Sequence, residues 1–244
     1  MSVTIPAVRG RDTPARKRAR DELVRAVWNK SGERRLPRER ELLPALSACT
    51  RDDLWWVCET NSAGPVYLLP TTEWIAALRD TLASLKAKRV VEIGAGDGFL
   101  ARSLGGVIAT DSGAWRSASA RMNARDHRAM KDVPLAGIRG HDVVKMSATA
   151  AVNKLRPDVV LVSWAPPGLM VERAIRGPCR YVLDIGVDGD VCGNGMKTWR
   201  FHKDFLDGPV ETRALCRLGA GATRVTAYYG KRHRDFGVDH GMIW

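Results

Sequence analysis

No two of the five cysteines stand at C-x-x-C spacing, and none has a histidine companion at the distance a zinc ligand set requires. Cys49, Cys58, Cys179, Cys192 and Cys216 therefore define neither a disulfide framework nor a zinc finger, and they predict reduced thiols in a cytoplasmic protein with no metal site. Long apolar runs are also missing. No stretch approaches the length of a membrane span and the first residues hold no apolar signal core, so neither membrane insertion nor secretion is expected. Internal repeats are absent, and aromatic residues make up only 7% of the chain, although eight of them are tryptophan.

Acidic residues are scarce relative to basic ones: 27 against 39, a formal net charge of +12. Such an excess points to a polyanionic partner. The competing explanation is compositional, because 29 of the 39 cations are arginine and they are spread over the whole chain. Two concentrated patches, Arg16 to Arg20 and Lys231-Arg232-His233-Arg234, keep nucleic acid as an alternative partner. Residues 1–40 hold twelve basic against five acidic residues, whereas residues 41–85 carry Trp55, Trp56, Tyr67 and Trp74. A helix is predicted from Thr72 to Leu85. With 244 residues, the chain fits one main domain, residues 86–244, preceded by a basic helical extension, residues 1–85.

The most informative stretch is Glu92-Ile93-Gly94-Ala95-Gly96-Asp97-Gly98 after Val90-Val91. It reads as a buried strand entering a glycine turn, where the missing Cβ atoms let a ligand approach the backbone. A short helix over Phe99 to Leu104 leads to a second apolar strand, Val107 to Asp111, which ends in a carboxylate about twenty residues after the first strand, the spacing of a ribose ligand. Further strands are predicted at Ala136 to Arg139, Asp158 to Ser163 and Arg180 to Ile185, alternating with helices at Trp115 to Met130, Ser147 to Leu155 and Leu169 to Arg176. This alternation implies an α/β, doubly wound, mostly parallel sheet with its ligand at the carboxyl ends of the strands. Val210 to Leu218 and Thr223 to Tyr229, flanking Gly219-Ala220-Gly221-Ala222, read as a closing antiparallel hairpin.

A dinucleotide fingerprint places a third glycine where this chain has Phe99. The observed E-x-G-x-G-x-G resembles instead motif I of the class I S-adenosylmethionine (SAM) dependent methyltransferases, over roughly residues 86 to 244. The resemblance implies a Rossmann-like seven-stranded sheet and SAM as cofactor. It assigns Gly94, Gly96, Asp97 and Gly98 to the turn, Glu92 to the acid of the first strand, Asp111 with Ser112 to the ribose side, and Asp142 to the adenine side. It also implies that the N-terminal helices cover the cofactor and substrate, with Trp55, Trp56 and Trp74 as candidate walls. For each of these tryptophans core packing is the competing reading.

The fourth strand ends in Ser163-Trp164-Ala165-Pro166-Pro167-Gly168. Methyltransferases that act on base amines carry an Asp/Asn/Ser-Pro-Pro-aromatic motif at this place. Here Ala165 and Gly168 stand where the polar and aromatic residues belong, leaving Ser163 and Trp164 as candidate substrate contacts, with Ser163 also a candidate cofactor contact. Asp184 and His202 are the candidate bases. The expected activity is methyl transfer to a small molecule or peptide. The alternatives are a nucleic-acid methyltransferase and a SAM- or NAD-binding module without transferase chemistry.

Overall fold

The computed structural model describes residues 13–61, 65–113, 142–166, 168–187, 192 and 198–238. In chain order the described elements are α1 (Pro14–Val27), α2 (Glu39–Ala48), α3 (Arg51–Thr60), α4 (Thr72–Ser84), β1 (Val90–Ile93), α5 (Phe99–Leu104), β2 (Val107–Asp111), β3 (Val144–Lys145), α6 (Ala148–Leu155), β4 (Val159–Ser163), α7 (Met170–Ile175), β5 (Tyr181–Gly186), β6 (Lys203–Phe205), α8 (Pro209–Thr212), β7 (Leu215–Cys216), β8 (Gly219–Ala220) and β9 (Arg224–Tyr229). They fall into two compact units. One contains the described residues up to Glu73 together with Gly113 and Leu215–Ala220, and the other contains the rest.

In the first unit, the Thr13 hydroxyl accepts the Arg16 N–H and Pro14 occupies the first helical position of α1, where no amide donor is needed. Thr50 and Asp53 cap α3 reciprocally. Leu23 and Val27 of α1, Leu42 and Leu46 of α2, and Val57 of α3 pack with Leu69 and Leu215 into one core. Asp53 lies beneath this arrangement, 1% exposed, with Arg16 at 3.0 Å and Arg20 at 2.7 Å. Burial alone would raise its pKa. Hydrogen bonds from Arg16, Thr50 and Arg20 outweigh that effect and hold the carboxyl well below the usual range. Lys17 pairs with Asp21 at 2.8 Å. Of the basic run Arg16 to Arg20, two guanidinium groups are thus engaged with a buried acid.

The second unit is built on a seven-stranded sheet of order β3-β2-β1-β4-β5-β9-β6. The pairs from β3 to β5 are parallel, and β9 is antiparallel to both β5 and β6. Strand residues alternate between faces. Val91, Ile93, Val160, Val162 and Val182 pack on Ala151 and Val152 of α6 and on Val171, Ala174 and Ile175 of α7. Leu161, Leu183, Ile185, Val225 and Ala227 are buried on the other face. Trp74 and Leu78 of α4 are fully buried, and Arg79 caps α5 by donating to the carbonyls of Ser103 and Leu104. This is the doubly wound Rossmann-like sheet that the sequence predicts, closed by antiparallel strands. No helix of the described residues is long and apolar enough to cross a membrane.

Two predicted elements differ. The sixth strand of the sheet is Lys203–Phe205, and the span Val210 to Leu218 instead forms α8 and β7. Pro209 starts a helical turn, and Leu215–Cys216 pairs locally with Gly219–Ala220, so glycine and alanine of the presumed loop are strand residues. The strand beside β2 is Val144–Lys145, so Asp142 precedes it. The predictions at Ala136 to Arg139 and Trp115 to Met130 lie outside the described residues.

Candidate cofactor and catalytic site

β1 is buried at all four positions and delivers the chain into a turn in which Gly94, Gly96 and Gly98 have φ of +66°, +55° and +72°. This left-handed backbone favours glycine. Gly96 aims its N–H at Asp111 Oδ2, 3.0 Å away at the end of β2. Gly98 shows a second, steric reason: a Cβ there would stand 2.7 Å from Val143 Cγ2, closer than side chains pack. The turn is braced from outside by Arg102, whose Nη1 donates to the Asp97 carbonyl at 2.6 Å and to Asp142 Oδ1 at 3.0 Å.

The N-terminus of α5 is capped by acids of the motif itself. The Phe99 N–H donates to Asp97 Oδ1 and the Ala101 N–H to Glu92 Oε2, each at 3.0 Å. Glu92 is 3% exposed, and burial pushes its pKa up to about 8, against the hydrogen bond from Ala101. The Glu92 carboxyl, expected to contact the cofactor, is turned inward and fixes α5 to β1. Asp97 lies on the turn with one carboxylate oxygen in the cap. Asp111 is 4% exposed, directly beneath the turn. Ser112 is exposed at the end of β2.

Asp142 lies beside the turn, its carboxylate bridged to Arg102. Ser163 closes β4, level with Ile185 of β5, and is half-buried. The Trp164 N–H donates to the Ile185 carbonyl at 2.7 Å, continuing the ladder one step, while its φ of +54° turns the chain sharply. A tryptophan in this conformation is a backbone outlier that stores on the order of 1–3 kcal/mol, at the carboxyl edge where a substrate would meet the cofactor. Its side chain is only 7% exposed.

Asp184 lies inside β5, between Val162 and Thr226 on the neighbouring strands, rather than in the loop beyond. His202 is placed at the opposite end of the sheet. Its carbonyl accepts the Tyr229 N–H, and Tyr229 pairs with Tyr181, the first residue of β5. Four strand steps separate Tyr181 from Ile185, roughly 13 Å, so a base at His202 is corrected: it cannot reach chemistry at the carboxyl ends. Its Nδ1 is 3.0 Å from the Asp235 carbonyl oxygen. Trp74 is no pocket wall either, being fully buried with its indole N–H donating to the Val210 carbonyl at 2.6 Å. Trp55 and Trp56 are half-buried neighbours on α3.

Sequence reasoning missed Arg102 and Met170. Met170 lies over the turn, its Cε 3.3 Å from where a Gly94 Cβ would be. Arg102, four residues after Gly98, was in principle legible as a neighbour one helical turn on. Met170 had no local signal.

No family model matches the chain, and no curated protein does. Solved structures do resemble it. The methyltransferase domain of bacterial CtHen1 has a TM-score of 0.36 at 14% identity over 65% of this chain and 98% of that one. A putative caffeoyl-CoA O-methyltransferase from Staphylococcus aureus has 0.35 at 11% identity, over 64% and 82% of the two chains. The magnesium protoporphyrin IX methyltransferase of Synechocystis PCC 6803, solved with bound SAM, has 0.33 at 10% identity, over 65% and 79%.

Proposed function

We propose that the chain is a SAM-dependent methyltransferase whose cofactor sits at the carboxyl ends of β1 and β2. The observation that carries this reading is the buried Asp111 carboxylate, bonded to Gly96 N–H under a turn whose helix is already capped by Glu92 and Asp97. A dinucleotide rests its diphosphate on free helix amides. Here the Phe99 and Ala101 donors are engaged by Asp97 and Glu92, and the Asp97 and Asp111 carboxylates would repel a diphosphate. A ribose, in contrast, offers hydroxyl donors to Asp111, and the open backbone at Gly96 accommodates a sulfonium and its amino-acid tail. This disfavours an NAD-binding module.

When bound, SAM supplies an electrophilic methyl group, and the protein has to align a nucleophile with it. Asp111, with Ser112 beside it, orients the ribose side; Asp142 defines the adenine side; Gly94, Gly96 and the Asp97 backbone hold the tail. Ser163 and the strained Trp164 peptide present the acceptor from β4, with the Ser163 hydroxyl as its hydrogen-bond partner. Asp184 supports that edge from within β5. We assign a small molecule or peptide as acceptor because Ala165 and Gly168 remove the two side chains by which a base amine is held. A nucleic-acid acceptor is the second reading, favoured by the excess of basic over acidic residues, 39 against 27.

Asp111→Ala should weaken SAM binding by roughly 1.5–3 kcal/mol, because it removes charge-assisted hydrogen bonds to hydroxyls. Calorimetry on the folded variant tests this, and an unchanged dissociation constant would overturn the cofactor site. Radiolabelled methyl transfer to separate metabolite, peptide and RNA pools tests the acceptor. Binding of SAM without any transfer would favour a module lacking transferase chemistry.

A further inference from the structure

The amino ends of the same strands form a surface that the cofactor site does not use. Beyond β1, β4, β5 and β9 the ladder continues one step outward: Asp158 N–H donates to the Arg89 carbonyl at 2.8 Å, Arg180 N–H to the Asp158 carbonyl at 2.9 Å, and Gly230 N–H to the Arg180 carbonyl at 2.7 Å. Four backbone segments are thereby held side by side at the strand spacing of about 4.8 Å, on a rigid rim about 14 Å wide. On or beside this rim stand Lys88, Arg89, Arg156, Arg180, Lys231, Arg232 and Arg234. The acids beside them are Asp158, Asp235 and Asp204, the last accepting the Tyr229 hydroxyl at 2.8 Å. Asp158 Oδ2 accepts the backbone N–H groups of Lys88 and Arg89, and Arg232 lies 3.8 Å from its other oxygen.

Lys88, Arg89, Arg156, Asp158 and Arg232 line a groove of about 410 Å³. The cations are pre-positioned: Arg89 donates to the Leu155 carbonyl, and Arg232 to the carbonyls of Arg156 and Pro157. Flat rings adjoin them. Arg180 lies over Tyr181 at 5.4 Å, and His233 stacks on Tyr229 at 4.1 Å with its Nε2 3.0 Å from the Tyr181 hydroxyl. The contrast with the other end of the sheet is sharp. The described loops that leave β1, β2, β4 and β6 contain Asp97 and Asp207 and no Lys or Arg. Arg102 and Arg224 at that end are paired with Asp142 and Glu211, and Lys145 stands on the edge strand β3, so among the described residues the cations cluster more densely at the amino edge.

We propose that this amino-end rim docks the sugar–phosphate backbone of a single-stranded nucleic acid. Five of the seven cations are arginine, whose planar fork suits phosphate oxygens, and the partly exposed rings of Tyr181 and Tyr229 offer stacking to bases. An acidic peptide would use the charges but not the rings. The docking is independent of the SAM reading, since the two surfaces lie at opposite ends of the strands.

Anisotropy of a short fluorescent single-stranded RNA with the full chain tests this. Lys88→Gln/Arg232→Gln should weaken binding about tenfold or more, and should flatten the dependence of log Kd on log salt by about 1.4 between roughly 50 and 200 mM, since each lost phosphate contact accounts for about 0.7. Lys17→Gln/Arg18→Gln on α1 should change affinity less than twofold, and SAM binding should be the same in all variants. The single variants Lys88→Gln and Lys231→Gln, both at exposed positions, should each give about a threefold loss should the double variant melt early. The proposal is overturned if the rim variants bind like the parent protein, if the α1 variant takes the loss, or if polyglutamate competes as well as unlabelled RNA.

Discussion

Replacing Glu92 by glutamine should make the protein's stability less sensitive to pH, in a direction fixed by burial. Glu92 is 3% exposed and its pKa is raised from 4.5 to about 8. Because the folded state raises the pKa of an acid, it retains a proton that the unfolded chain has released. Stability is then fully present below 4.5, falls as pH rises toward about 8, and levels off above it. The slope for one proton is about 1.4 kcal/mol per pH unit, so this one group costs roughly 2–3 kcal/mol between about pH 5 and pH 7. Glutamine keeps an oxygen for the Ala101 N–H and puts an N–H where neutral Glu92 has its carboxyl proton, but it does not titrate. The difference in unfolding free energy between variant and parent should therefore grow by roughly 2–3 kcal/mol from about pH 5 to pH 7, or about 5–10 °C in Tm. Other titrating groups cancel in that difference. Urea denaturation at the two pH values measures it, and a gap that stays constant to within about 0.5 kcal/mol would refute the inward, proton-retaining placement of Glu92.

The glycine turn makes a graded prediction: Gly98→Ala should lose about 2–3 kcal/mol, because strain at φ +72° is joined by a 2.7 Å clash with Val143, whereas Gly96→Ala, with nothing within 4 Å, should lose only about 1 kcal/mol. Equal losses on denaturation would contradict the geometry. Trp164→Ala should cost about 3–5 kcal/mol as a buried aromatic truncation, yet Trp164→Gly should be about 1 kcal/mol more stable than Trp164→Ala, since glycine accepts φ +54°. Alanine proving the more stable would remove the strain at this edge. Asp53→Asn should cost about 3–5 kcal/mol near neutral pH by leaving Arg16 and Arg20 without their buried acid, and that deficit should shrink as pH falls below 3.8, because a depressed carboxyl pKa contributes stability that acid removes. A deficit that persists unchanged in acid would argue against the ion pair.

What the sequence determined by itself was local in nature. The apolar strand into E-x-G-x-G-x-G, the acid ending the second strand and the alternation of strands and helices are each written in a few adjacent residues, and the sheet with its glycine turn over Asp111 follows from them. The seventh strand was legible for the same reason. The sixth was not, because Lys203–Phe205 is three residues long and becomes a strand only by pairing with β9, while Pro209 turned the expected strand into a helical turn. Side-chain destinations were likewise tertiary decisions. Nothing local tells that Glu92 faces the amide of Ala101, that Arg16 and Arg20 converge on Asp53, or that Met170 lies over Gly94, since each depends on elements far apart in the chain. The same holds for direction along the sheet. His202 and the basic run after Tyr229 resemble any other polar residues in the sequence, and only the antiparallel register of β9 carries them to the amino edge, a full strand length from the turn that Asp111 supports.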